Sequence, residues 1–441
     1  MLPRLIPVYF KEGRDADFDT QLAILKELFS NEAELLPEVG LGDSLPEAEA
    51  VIFPQLLGEA YRCLDDFRKI DLPILLITSE FGTVLMWDWE IASYMRSEGI
   101  NMFAPNSLEQ SKKVLKMLAV KRQIGTAKFM VFQDNPGEGF QAPIFKRFFW
   151  WEDECTKRIM DSFGVRIEKR SFNTLGAYAK SLPDEAALAV YEQWKDRMPL
   201  DAINENQRNS ALKVYLALRD ELEKDPHIQG MGINCLNESH YSDTTPCLAW
   251  NMLYEEQRLI WGCEADTVSM LTKYLLHKSL GAPIMMTNMY PFLLGKAALK
   301  HERIPNFPEV EGNPDNYILA AHCGYLGVVP QSFATEWELR SKVLAIVDAN
   351  ATAIDARLPA GPITLVKLQP TMQSFSVSEG ELTGYAQYTD SDCLNGAVIR
   401  LENGKRFVEA QASHHYMLMT GHHLDDIRIL ASLYKMSVDI I

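Results

Sequence analysis

Two periods of hydrophobicity alternate along the first third of the chain. Residues 5–10 are an apolar run of strand length, and residues 18–29 carry apolar side chains at helical spacing. A short apolar strand at 50–54 precedes a helix at 56–67. Residues 73–78 form a near-continuous apolar run of the kind that fills buried parallel strands. A further helix opens at 87–95 and is stopped by Gly99. Strands alternating with helices predict a doubly wound α/β unit.

A second unit of the same kind starts near residue 124. Strands are predicted at 128–132, 165–168, 230–235, 259–263, 284–288 and 317–321. Helices are predicted at 202–222, 248–256 and 267–280. From about residue 340 the pattern changes. Short strands at 343–347, 363–368, 374–377, 397–401 and 416–420 are separated by turn residues with no helices between the first four, and a helix at 424–434 closes the chain. That reads as an antiparallel, barrel-like unit. The expected division is 1–122, 123–335 and 336–441: two doubly wound α/β domains, then a C-terminal β-rich domain.

Composition narrows the functional classes. A net charge of −17 argues against a nucleic-acid partner, since phosphate binding needs a basic surface. No uncharged apolar stretch of 18 residues occurs, so no membrane span is expected. The first ten residues lack the apolar run and cleavage site of a secretory signal. The seven cysteines are scattered, with no CxxC pair, which fits reduced thiols and argues against a thiolate zinc site. A cytoplasmic location is expected. The loop Gln133-Asp134-Asn135-Pro136-Gly137-Glu138-Gly139-Phe140 lacks both glycine phosphate-binding spacings and carries acids that repel phosphate.

Chemistry concentrates in the second half. None of the nine histidines precedes residue 227, and four of them, His414, His415, His422 and His423, stand in one short tract. Two acids follow predicted strands: Glu238 after 230–235 and Asp266 after 259–263. In α/β sheets ligands bind at the carboxyl ends of strands, and strands joined by one crossover lie close together, so both carboxylates can reach one crevice. The alternatives are a solvated loop acid for Glu238 and a helix N-terminal acid for Asp266. Glu264 shares the face of Asp266 if the chain is still extended there. Side chains on a strand alternate faces, so one member of each histidine pair points away from any common metal. Two carboxylates and one imidazole suit a hard or borderline divalent ion such as Mn²⁺.

Several segments in order resemble the L-fucose isomerase family: Gly232-Ile233-Asn234-Cys235-Leu236-Asn237-Glu238, Thr245-Pro246-Cys247, Cys263-Glu264-Ala265-Asp266, Gly361–Leu368, and Ser413-His414-His415 with Thr420-Gly421-His422. The resemblance covers roughly residues 120–441. The N-terminal third matches in layout, with Glu80-Phe81-Gly82 and Trp87-Asp88-Trp89 as its markers. It implies aldose–ketose isomerisation of an open-chain pentose or deoxyhexose through an enediol, with Mn²⁺ as cofactor; whether Mg²⁺ or Co²⁺ can substitute is not read from the sequence. It also implies metal ligands at Glu238, Asp266 and His415, with Glu238 as the C–H base and Asp266 as its partner, in a homo-oligomer such as a hexamer.

Glu264, His322 and His422 are expected as neighbours of the site, and Trp87 and Trp89 as rings covering the apolar face of a sugar. The chain is shorter than typical L-fucose isomerases, and Ser413 stands where many relatives carry Asn. These departures bear on the substrate more than on the reaction. A non-catalytic sugar-binding or sensing protein on the same domains is the reading from another class.

Overall fold

A computed structural model describes the chain except for residues 11–13, 15, 55–57, 59, 79–85, 136–142, 145–151, 292–298, 301–302, 343, 345, 389–390 and 392–393, and the side chains of 86–89 and 291. It divides into two compact units. One comprises Met1–Gly125 with Lys278–Leu280 and Asp426–Ser437; the other comprises Thr126–His277, Gly281–Asp425 and Val438–Ile441.

The first unit holds a parallel sheet. Strands β1 (Arg4–Tyr9), β2 (Glu34–Leu35), β3 (Val39–Gly40), β4 (Ala50–Phe53), β5 (Ile74–Leu76) and β6 (Met102–Phe103) run in the order β2-β1-β4-β5-β6, with β3 also on β1. Pro7 explains why one flank of β1 is covered by two short strands. Leu5 and Tyr9 accept backbone hydrogen bonds from Leu36 and Leu41 on that side, and Pro7, between them, has no N–H to offer. Ile6, Val51, Phe53, Phe67, Leu76 and Met95 fill the core, with the Phe53 and Phe67 rings stacked at 5.1 Å.

The second unit begins with another parallel sheet, β7 (Lys128–Phe132), β8 (Arg166–Arg170), β9 (Ile228–Ile233) and β10 (Ile260–Cys263), in the order β10-β9-β7-β8. The remaining strands are β11 (Ile284–Pro291), β12 (Tyr317–Ala321), β13 (Glu336–Ser341), β14 (Thr352–Arg357), β15 (Gly361–Leu368), β16 (Ser374–Ala386), β17 (Gly396–Leu401) and β18 (His415–Thr420), followed by β19 (Ser437–Ile440). Six of them run β15-β18-β11-β12-β17-β16, and β16 returns to β15, which closes an antiparallel barrel.

The mixed α/β class with a closed barrel matches the sequence reading. The assignment of strands differs in one place. β11 and β12, expected in the second α/β layer, are barrel strands, because each pairs antiparallel on both edges. The antiparallel pair β13–β14 flanks the segment 343–347, expected as a strand, of which residues 343 and 345 lie outside the described residues. Among the described residues no helix is long and apolar enough to cross a membrane.

Candidate metal centre

β11 lies between β18 and β12 in the barrel. Its Asn288 stands opposite His415 on one edge and opposite Ala321 on the other. His415 is the first residue of β18, and His322 directly follows Ala321. One strand therefore brings together two histidines that are far apart in sequence, and their ring centroids lie 5.6 Å apart. Glu264 comes from the other part of the unit, one residue beyond β10. Its Oε1 lies 3.6 Å from Nε2 of His322 and 3.6 Å from Nε2 of His415.

That spacing is too long for hydrogen bonds. Both Nε2 atoms are buried and have no hydrogen-bond partner. A buried polar atom left unpaired costs about 1–3 kcal/mol, so two orphans facing one carboxylate call for an explanation. Glu264, His322 and His415 form a buried group whose ligand atoms lie within 4.8 Å of one another, close enough to hold a metal ion. The orphan nitrogens and the carboxylate–imidazole donor set fit a divalent cation.

The two histidines are oriented from behind. Nδ1 of His415 donates to Oδ2 of Asp266 at 2.8 Å, which leaves Nε2 to face Glu264. This is the carboxylate–histidine arrangement that fixes the tautomer of a metal-ligating imidazole. Nδ1 of His322 lies 2.9 Å from Sγ of Cys323, a softer partner in the same position.

The placement of Asp266 revises the expected ligand set. Asp266 caps the helix Thr267–Leu280, accepting from the backbone N–H of Ser269 at 2.8 Å and from its hydroxyl at 2.7 Å. Lys367, fully buried, donates to Oδ2 at 3.2 Å and to Ser269 Oγ at 2.5 Å. With His415 and these donors, the carboxylate oxygens are already spoken for. Asp266 contacts one member of the group, His415, and is not among the three residues whose ligand atoms come together.

The backbone explains why Glu264, its near neighbour, points elsewhere. Glu264 and Ala265 are both left-handed, with φ of 53° and 55°. Alternation of faces applies only to extended backbone, and each such residue costs roughly 1–3 kcal/mol, a strain typical of functional sites. The turn is held tightly. A Cβ on Gly262 would meet Met270 Cγ at 2.4 Å, so only glycine lets the helix approach β10 this closely.

Glu238 lies outside the group. It is buried at the end of the short helix Cys235–Glu238, and its carboxylate accepts from the backbone N–H groups of Asp134 at 3.0 Å and Asn135 at 2.5 Å. Burial raises its pKa, and those two N–H groups partly offset the rise. His422 is exposed at the far end of β18, near the Gly380 carbonyl, and does not approach the centre. The His414 ring lies tilted against that of His415, with centroids 4.0 Å apart. Trp87 and Trp89 fall in the helix Met86–Ser97, and their side chains lie outside the described residues.

Electrostatics divides the two histidines: burial would lower the pKa of His415, but Asp266 and Glu264 outweigh it and raise it. Burial alone would raise the Glu264 carboxyl, but the positive charge that His415 gains beside it holds it at about 2. Burial drives His322 down to about 4, so at neutral pH it carries a free imidazole, the form that ligates metal. For Asp266, burial is likewise outweighed, chiefly by Lys367 and His415, and it stays ionised.

Lys367, Ser269 and Cys323 were not singled out from the sequence. Lys367 had a signal: it is a lone charge in the otherwise apolar strand 363–368. No protein-family model matches the chain, and no curated protein matches it.

Proposed function

We propose that this protein is a divalent-metal-dependent aldose–ketose isomerase acting on an open-chain pentose or deoxyhexose. The observation that carries the reading is the buried Glu264–His322–His415 group with its two unpartnered imidazole nitrogens. The ordered motifs shared with the L-fucose isomerases give it its reaction class.

Glu264, His322 and His415 would hold the cation. When bound, a divalent cation polarises the sugar carbonyl and stabilises the negative charge that develops as the enediol forms. Mn²⁺ remains the first choice. Two imidazoles and one carboxylate, in place of two carboxylates and one imidazole, bring Co²⁺ closer to it than Mg²⁺. Asp266, anchored by Lys367 and Ser269, keeps the proton on Nδ1 of His415.

Glu238 is the proposed proton carrier between C2 and C1. It follows β9, the neighbour of β10, and Ile233 and Cys263 pair at the ends of those strands. A carboxyl with a pKa raised by burial exchanges protons more readily near neutral pH than an exposed one. Its two backbone N–H donors fix its orientation. The reading includes a homo-oligomer, such as a hexamer, in the cytoplasm.

The test is metal analysis followed by incubation with a panel of aldoses in D₂O. Metal-dependent deuterium at C1 or C2, lost in Glu238→Gln while metal binding persists, is the expected result. Tight sugar binding with no exchange at full metal occupancy replaces this reading with a sugar-binding protein. Neither binding nor exchange ends both.

A further inference from the structure

Four cysteines from four separate segments line one small cavity in the second unit. Cys235 follows β9, Cys247 opens the helix Cys247–Gln257, Cys263 ends β10, and Cys323 follows His322. The cavity has a volume of about 20 Å³, enough for a single ion or water and too small for a sugar. Its other walls include Glu264, Thr245, Thr352 and Lys342. Thr352 is 2% exposed, and its hydroxyl has no hydrogen-bond partner.

We propose that this cavity is a second cation site, specific for a soft two-coordinate ion such as Cu⁺. Thiolate sulfur selects soft ions, whereas the neighbouring Glu264–His322–His415 group selects borderline ones. The sulfurs are spread round the wall: the only group of three close ligand atoms found among the described residues is the glutamate–histidine one. Spread sulfurs suit linear coordination by two of them and do not suit a tetrahedral zinc site.

Binding balances as Cu⁺ plus two thiols giving a bis-thiolate complex of charge −1 and two released protons. The Lys342 amine, on the cavity wall, supplies a counter-charge. This proposal does not rest on the isomerase reading.

The test uses the full-length protein, with Cys63, Cys155 and Cys393 replaced by Ser, titrated anaerobically with Cu⁺ against a chromophoric Cu⁺ chelator. One equivalent should be taken from the chelator, with release of two protons. X-ray absorption should give two sulfur neighbours and no nitrogen. Uptake should be lost when Cys235, Cys247, Cys263 and Cys323 are also replaced by Ser. Failure to compete with the chelator, nitrogen coordination, or unchanged uptake in that variant overturns the proposal. If the variant does not fold, the coordination seen in the parent decides alone.

Discussion

Nδ1 of His415 donates across 2.8 Å to Oδ2 of Asp266, 149 residues earlier in the chain. The bond joins the first residue of a barrel strand to the N-cap of a helix beside the parallel sheet, so it registers the two halves of the candidate metal centre against each other. Asp266→Asn keeps the shape of the side chain and removes its charge. Metal affinity should fall about 10–100-fold, the usual effect of losing such a supporting partner. Lys367 then stays buried without its counter-ion, which should cost about 3–5 kcal/mol of stability. Calorimetric titration with Mn²⁺ and urea unfolding measure the two effects separately.

His322 and His422 separate the geometric centre from the histidine-rich tract. His322→Gln removes one of the two orphan Nε2 atoms and should abolish metal binding at micromolar concentrations. His422→Gln, at an exposed position, should bind metal as the parent does. Glu264→Gln removes the one charged donor and should behave like His322→Gln. Equal affinity in all three variants would place the metal elsewhere. The absorption spectrum of the Co²⁺-loaded proteins gives an independent check.

The alternation of strand and helix was legible because buried parallel strands and amphipathic helices leave different periods in the sequence. The barrel was legible only in part. β11 looks like a parallel strand because it is uniformly apolar up to Thr287, and only its partners reveal that it belongs to the barrel. At the site, His415 and the region after β10 were readable from motif and strand-end logic. That Glu264 and not Asp266 faces the two imidazole Nε2 atoms was not. It depends on two consecutive left-handed residues, Glu264 and Ala265, neither of which is a glycine that would announce the turn. The helix-cap reading of Asp266, weighed as the plain alternative, describes its backbone contacts correctly. His322 could not be ranked above other buried histidines until β11 placed it beside His415.

Gly262→Ala tests whether the close approach of the helix Thr267–Leu280 positions the centre. The added methyl would meet Met270 at 2.4 Å from Cγ and 2.7 Å from Sδ, so the side chain or the helix must move. Overpacking of this kind costs about 1–3 kcal/mol. A shift of the helix moves its N-cap, Asp266, and through it His415. Metal affinity should therefore fall together with stability. Pairing Gly262→Ala with Met270→Ala should recover part of the affinity, since it relieves the clash without touching a ligand. A double variant no better than Gly262→Ala alone would show that the glycine acts otherwise.

Lys273 gives the stability a pH dependence of predictable sign. Its side chain is fully buried, donates to the Trp261 carbonyl at 2.9 Å, and sits 3.5 Å from the centroid of the Trp261 ring. Burial lowers its pKa from 10.5 to about 7. Between those values the unfolded chain binds a proton that the folded chain does not, so this group makes stability rise with pH across the window. Below about pH 7 both states carry the proton, and the full cost of burying the charge is present. The slope is about 1.4 kcal/mol per pH unit, and the whole window amounts to a few kcal/mol. Lys273→Met keeps the volume and removes the titration. The variant should exceed the parent in stability at pH 6.5, and the advantage should shrink steadily toward pH 9.5. Urea unfolding of both proteins across that range gives the difference directly. A difference that stays constant with pH would mean that Lys273 keeps its ordinary pKa, charged inside the fold.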